Sequence, residues 1–111
     1  MKYFIYVDDI RTNDSFYKSL PNYNEWKIII ARNYQDAIRF LRECSDGSII
    51  IDLDHDLGFD GILKMERSGY DICKYIVENQ IPITAFHIHS MNPVGAHNMR
   101  SLLTHYGYHE I

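Results

Sequence analysis

Positive charge is scarce in this chain: eleven lysines and arginines stand against fifteen aspartates and glutamates, for a net charge of −4 with histidine neutral. That balance argues against broad, nonspecific binding of DNA or RNA by a basic surface. A phosphate ligand would need local help from arginine, backbone amides or a metal ion. Cysteine is nearly absent as well. Cys44 and Cys73 lie far apart in the sequence, each in an apolar helical pattern, so reduced core thiols are expected in place of a disulfide or a metal clip. No apolar run approaches the ~20 residues of a membrane span. The opening MKYFIYVDDI has one basic residue, a short apolar stretch and then acids, which reads as a first strand and not a secretory signal. A cytoplasmic location with no membrane partner is the expectation. Repeats, linkers and low-complexity segments are missing too. What is present is a chain of 111 residues, 46% apolar, sized for one domain over 1–111 that needs neither disulfide nor structural metal.

The chain is organised around Ser48 to Gly58, SIIIDLDHDLG, where three consecutive isoleucines turn abruptly into Asp52, Asp54, His55 and Asp56. Consecutive β-branched residues favour a strand buried on both faces, as in the middle of a parallel sheet between helices. Ahead of it, KYFIYV reads as a first strand followed at once by Asp8 and Asp9, and WKIIIA as a second ending in Arg32. Thr12 or Asn13 opens a short helix through about Leu20, closed by Pro21. Asn33 is a plausible cap for a helix with Tyr34, Ala37, Ile38, Leu41 and Cys44 on its apolar face. After the central strand, Leu57 to Ser68 is a long connection whose Gly58 and Gly61 make it a candidate flap. Ile72, Cys73, Ile76 and Val77 mark a third helix. ITAFHIH is a fourth strand ending at His89 and Ser90, and Asn92 and Pro93 lead into a final helix. Tyr108 to Ile111 can supply only the stub of a fifth strand.

Alternating strands and helices predict a three-layer, doubly wound parallel sheet of flavodoxin-like type, ordered 2-1-3-4-5 with a short or degenerate last strand. Right-handed crossovers then bring every strand's carboxyl end to one edge, where open α/β sheets bind their ligands. Asp8, Asp9, Arg32, Asp54, His55, Asp56, His89 and Ser90 all fall there.

DDIR at 8 to 11, LDHDLG at 53 to 58 and HSMNPVGAHNM at 89 to 99 resemble the receiver-like family described as cyclic-phosphate processing, found in bacteria and phages. More broadly, the acid pair, the acid after the third strand and the small hydroxyl after the fourth are similar to a response-regulator receiver domain. Such a receiver carries a lysine after its fifth strand, whereas the last lysine here is Lys74 and the tail HYGYHEI has none. His55 and His89, in exchange, are groups that give and take protons near neutral pH.

The resemblance implies a metal-dependent phosphoesterase acting on a cyclic or terminal phosphate of a nucleotide or an RNA end. Asp8, Asp9 and Asp54, with Asp56 in or near the set, offer hard oxygens to magnesium or manganese; a histidine ligand would bring zinc or iron into range. His89 is the preferred general acid, with His55 and Asp54 also placed in the chemistry. Arg11, Arg32, Ser90, Asn92, Gly95 and Asn98 are the expected phosphate-binding positions. Plainer roles stand beside these. Asp52 suits a core acid as well as a ligand, His87 is expected to pack under a helix, Arg32 to end a strand, Asn92 to form a turn, and Gly95 to permit a tight helix contact. Two other functions remain open: a non-catalytic receiver-like module that binds a nucleotide or partner protein, and, more weakly for want of the lysine, a phospho-accepting response regulator. The oligomeric state is not legible.

Overall fold

The computed structural model describes residues 1–58 and 67–111. Most of the candidate flap, with Gly61, lies outside the described residues. The strands are β1 (Lys2–Val7), β2 (Lys27–Ala31), β3 (Ser48–Leu53) and β4 (Ala85–Ile88), and the helices α1 (Ser15–Ser19), α2 (Tyr34–Glu43), α3 (Gly69–Glu78) and α4 (Pro93–His105), with a 3-10 turn at Tyr23–Glu25. The sheet is parallel throughout and ordered β2-β1-β3-β4.

This corrects the expected 2-1-3-4-5 order, because the tail never becomes a strand. It adds a single parallel bridge between Phe86 and Glu110. The Phe86 amide donates to the His109 carbonyl and the Ile111 amide to the Phe86 carbonyl, each at 2.9 Å. Gly107, in the left-handed region at φ +88°, turns the chain out of α4 toward this bridge.

Strand alternation divides the core. Ile5, Val7, Ile49, Ile51, Leu53 and Phe86 face α2, α3 and α4, while Phe4, Tyr6, Ile50 and Ala85 face Phe16, Tyr17 and Leu20 around the much shorter α1. The three longer helices, α2, α3 and α4, each begin with a side-chain cap, which α1 lacks. Asn33 accepts the Asp36 amide at 2.8 Å, and Asn92 accepts the Gly95 amide at 2.9 Å with Pro93 as the first helical residue. Ser68 and Asp71 form a capping box, in which Asp71 takes the Ser68 amide at 2.8 Å. Cys44 and Cys73 are free and buried in this core.

The register places the polar residues. Tyr6, Asp52 and His87 are aligned across β1, β3 and β4. Two residues on, the ladder continues past the strand ends: the Asp54 amide donates to Val7 at 3.1 Å and the His89 amide to Leu53 at 3.0 Å. With a side-chain period of two, the D-x-D of β3 and the H-x-H of β4 form two tiers on the α1 face. Tyr6, Asp52 and His87 make the lower tier, and Asp8, Asp54 and His89 the upper.

Candidate functional site

At the carboxyl edge three carboxylates are withdrawn from water: Asp8 is 0% exposed, Asp52 1% and Asp54 5%. Burying ionised carboxylates costs several kcal/mol each unless they are paired, about as much as burying two or three of the strand's isoleucines contributes. The site therefore depends on its cations and donors.

His89 joins the two tiers. Its Nδ1 lies 2.7 Å from Asp52 Oδ1 and its Nε2 3.1 Å from Asp8 Oδ2. Tyr6 stacks on the ring at 4.7 Å and 6°. A carboxylate against each nitrogen calls for a proton on both. Burial opposes that charge, but Asp52 and then Asp8 outweigh it and raise the His89 pKa. His87 directs its own Nδ1 to the same Asp52 oxygen at 2.9 Å and stacks on Phe16 with centroids 3.6 Å apart. Burial alone would raise the Asp52 pKa; the two imidazoles reverse it, and the net shift is downward.

Asp8 is held from several sides. Its Oδ1 accepts the amides of Ile10 (3.1 Å) and Arg11 (2.8 Å), and its Oδ2 accepts Arg11 Nε at 3.0 Å. Burial pushes against ionisation, yet these donors and His89 leave its pKa lowered. Asp54 goes the other way: burial, and then the Asp8 charge beside it, raise its pKa. Its Oδ1 accepts the His55 amide at 2.9 Å, and Arg11 Nη2 reaches its Oδ2 at 3.5 Å.

One ligand atom each from Asp8, Asp54 and His89 lie within 4.8 Å of one another. Two hard oxygens and an imidazole form a donor set that fits a divalent cation. The expected four-carboxylate set is thus divided. Asp9 packs at Gly58 instead, where a Cβ would meet its Oδ2 at 3.0 Å. Asp56 is exposed and pairs with His55 Nδ1 at 2.9 Å.

The other expected site residues are dispersed. His55 turns toward α4: its ring lies where a Cβ on Gly95 would be, and Asn92 Nδ2 is 3.5 Å from its Nδ1. Gly95 is accordingly a close helix contact. Asn98 lines an open cavity of about 760 Å³ with His55, Ser68 and Tyr70, away from the carboxylates. Ser90 accepts the Asn92 amide at 3.0 Å, inside the turn that starts α4. Arg32 clips the loop after β1, donating to the carbonyls of Asp8 (3.3 Å) and Arg11 (2.6 Å) and to Thr12 Oγ1 (2.6 Å). This explains its place at a strand end without a ligand. Arg11 alone among the expected phosphate-binding residues touches the buried carboxylates.

A cavity of about 320 Å³ opens beside the tiers, lined by Arg11, Phe16, Asp52, His87, His89 and Met91 among others. The orienting role of Asp52 and the partnership of His87 were not assigned from the sequence. The signal was there in the alternate-residue patterns D-x-D and H-x-H, but their meaning depends on a register that the sequence leaves unstated.

The description of the family whose profile matches residues 3–105 is cyclic-phosphate processing receiver domain. No curated protein matches the chain. Among solved structures, the signal receiver domain of a candidate Luxo repressor protein from Vibrio parahaemolyticus is similar, with 24% identity and a TM-score of 0.66, over 98% of this chain and 75% of that one. At that identity the likeness shows the flavodoxin-like fold. With the profile spanning nearly every element from β1 to the end of α4, the chain belongs to the cyclic-phosphate processing receiver domain family.

Proposed function

We propose that the domain is a phosphoesterase that opens a cyclic phosphate, or removes a terminal one, on a nucleotide or RNA end, with Asp8 and Asp54 holding a divalent cation, magnesium or manganese. The observation that carries this reading is His89, fixed by Asp52 through Nδ1 so that Nε2 faces the Asp8 and Asp54 carboxylates. When bound, the cation would supply polarisation of a phosphoryl oxygen and a lowered pKa for an attacking water. The protein's own part is to orient and to move a proton. A water oxygen bonds to phosphorus as one phosphorus–oxygen bond to the sugar breaks. His89 Nε2 gives its proton to the departing sugar oxygen, while Asp52 keeps the ring in place and stabilises its charge before transfer. The proton lost by water restores the imidazolium through solvent. Arg11 supplies charge to the phosphoryl oxygens, and the 320 Å³ cavity, with Phe16 and Met91 in its wall, offers room for an organic group beside the phosphate.

One arrangement supports a second assignment of the ion. A carboxylate behind an imidazole, as Asp52 stands behind His89, is the usual support of a histidine metal ligand. In that reading His89 is the third ligand and zinc or iron the cation.

Turnover of a cyclic nucleotide by folded wild type, Asp54→Asn and His89→Ala tests the proposal. Loss of at least ~100-fold in kcat in both variants is expected. Unchanged turnover in either would remove that residue from the reaction. Saturable binding without turnover in wild type would leave a binding module.

A further inference from the structure

We propose that the Arg11 guanidinium is an internal counter-ion occupying the cation position, which a divalent ion displaces and which then becomes the phosphate-binding group. This rests on the cation site proposed above. Arg11 Nε is 3.0 Å from Asp8 Oδ2 and Nη2 is 3.5 Å from Asp54 Oδ2, so one guanidinium bridges the same two carboxylates that the cation needs. With His89 Nε2 also 3.1 Å from Asp8 Oδ2, that carboxylate already faces a guanidinium and an imidazole. A divalent ion added with the guanidinium still in place would crowd like charges in a poorly screened site, so one of these groups must give way.

Arg11 is built to be the one that leaves. Its side chain is 44% exposed, whereas that of His89 is 16% exposed and fixed between two carboxylates and the Tyr6 ring. The Arg11 backbone is anchored independently of the side chain. Its amide donates to Asp8 Oδ1 at 2.8 Å and its carbonyl accepts Arg32 Nη1 at 2.6 Å. The guanidinium can therefore swing about a fixed Cα. It also lines the 320 Å³ cavity with His89 and Met91, so the released group stays beside the place where a phosphoryl group must meet His89. Displacement and recruitment are then one motion. The cation removes the arginine from the carboxylates and leaves its donors free for phosphate oxygens, which a guanidinium binds in bidentate fashion.

The test is a calorimetric titration of Mn²⁺ alone into folded wild type, Arg11→Ala and Arg11→Gln. Removing a competing cation should tighten Mn²⁺ binding by about threefold or more in both variants, the scale of a partly exposed ion pair. Mg²⁺ should also shift the Arg11 Nε–H resonance of wild type. With Mg²⁺ saturating, inorganic phosphate should bind ~10-fold or more weakly to the variants. Unchanged or weaker Mn²⁺ binding in the variants would overturn the displacement while leaving the cation site standing. Unchanged phosphate affinity would overturn the recruitment. No Mn²⁺ binding by any of the three proteins would overturn both the inference and the cation site beneath it.

Discussion

The Oδ1 oxygen of Asp52 receives His87 at 2.9 Å and His89 at 2.7 Å, and the latter contact decides which nitrogen of His89 faces the reacting groups. Asp52→Asn keeps the shape and replaces the charge. It is expected to lower kcat on the order of 10²-fold to 10⁴-fold with a smaller change in KM, because it misorients the acid while leaving the cavity wall its shape. A KM effect alone would assign Asp52 to binding. The same carboxylate links stability to pH. The folded pKa of Asp52 lies below its ordinary value of 3.8, so its contribution is present above that value and is lost as pH falls through the folded pKa. The folded pKa of His89 lies above 6.5, so its contribution is complete below 6.5 and is lost as pH rises through the folded pKa. Urea unfolding across pH should therefore show both slopes in wild type and flatter ones in Asp52→Asn. Identical slopes in the two proteins would contradict the assigned pairs. At this scale the sequence exposed the residue types but not their partners. Arg32 and Arg11 are both arginines in strand-end segments, yet one is spent on carbonyls and the other reaches the carboxylates.

The elements were more legible than the contacts between them. Isoleucines on consecutive positions mark β3 and Asn33 marks the cap of α2, because these are local choices of a few residues, whereas Asn92, read as a turn, is the cap of α4. The Ser68–Asp71 capping box lies at the end of the long connection, where no regular pattern in the sequence marks it. The bearing of α3 on the site was not legible either, because it comes from a close approach across the fold. A Cβ on Gly69 would collide with the Asp54 carbonyl oxygen and meet Met99 Sδ at 2.8 Å, and the Gly69 amide donates to the His55 carbonyl at 2.8 Å. Gly69→Ala must move α3 or the end of β3. A loss of ~1–3 kcal/mol in unfolding free energy is expected, together with weaker divalent-ion binding as Asp54 shifts. Wild-type stability and ion affinity in Gly69→Ala would show that this junction yields without cost.

Among the described residues, one face of the sheet carries α2, α3 and α4 and the other the short α1, and no described helix is long and apolar enough to cross a membrane. The tail partly protects the β4 edge through main-chain bonds on both sides of Phe86 and through Arg100 Nε to Glu110 at 2.7 and 2.9 Å. Deleting residues 108–111 should cost ~1–3 kcal/mol and promote self-association at the uncovered edge, read by denaturation and sedimentation. A monomer of unchanged stability would make the bridge incidental. If Asp54 holds a cation and does not accept phosphate, a small phosphodonor should leave no stable label on it, whereas a durable aspartyl phosphate would favour a signalling role. The most direct measurement is turnover of a panel of cyclic mononucleotides, cyclic dinucleotides and RNA with 2′,3′-cyclic-phosphate ends by folded protein, with magnesium, manganese, zinc or chelator. A phosphomonoester product from at least one of them, formed with metal and abolished by chelator, is the predicted result. Absence of product from every substrate under every metal, with the protein folded, would contradict it.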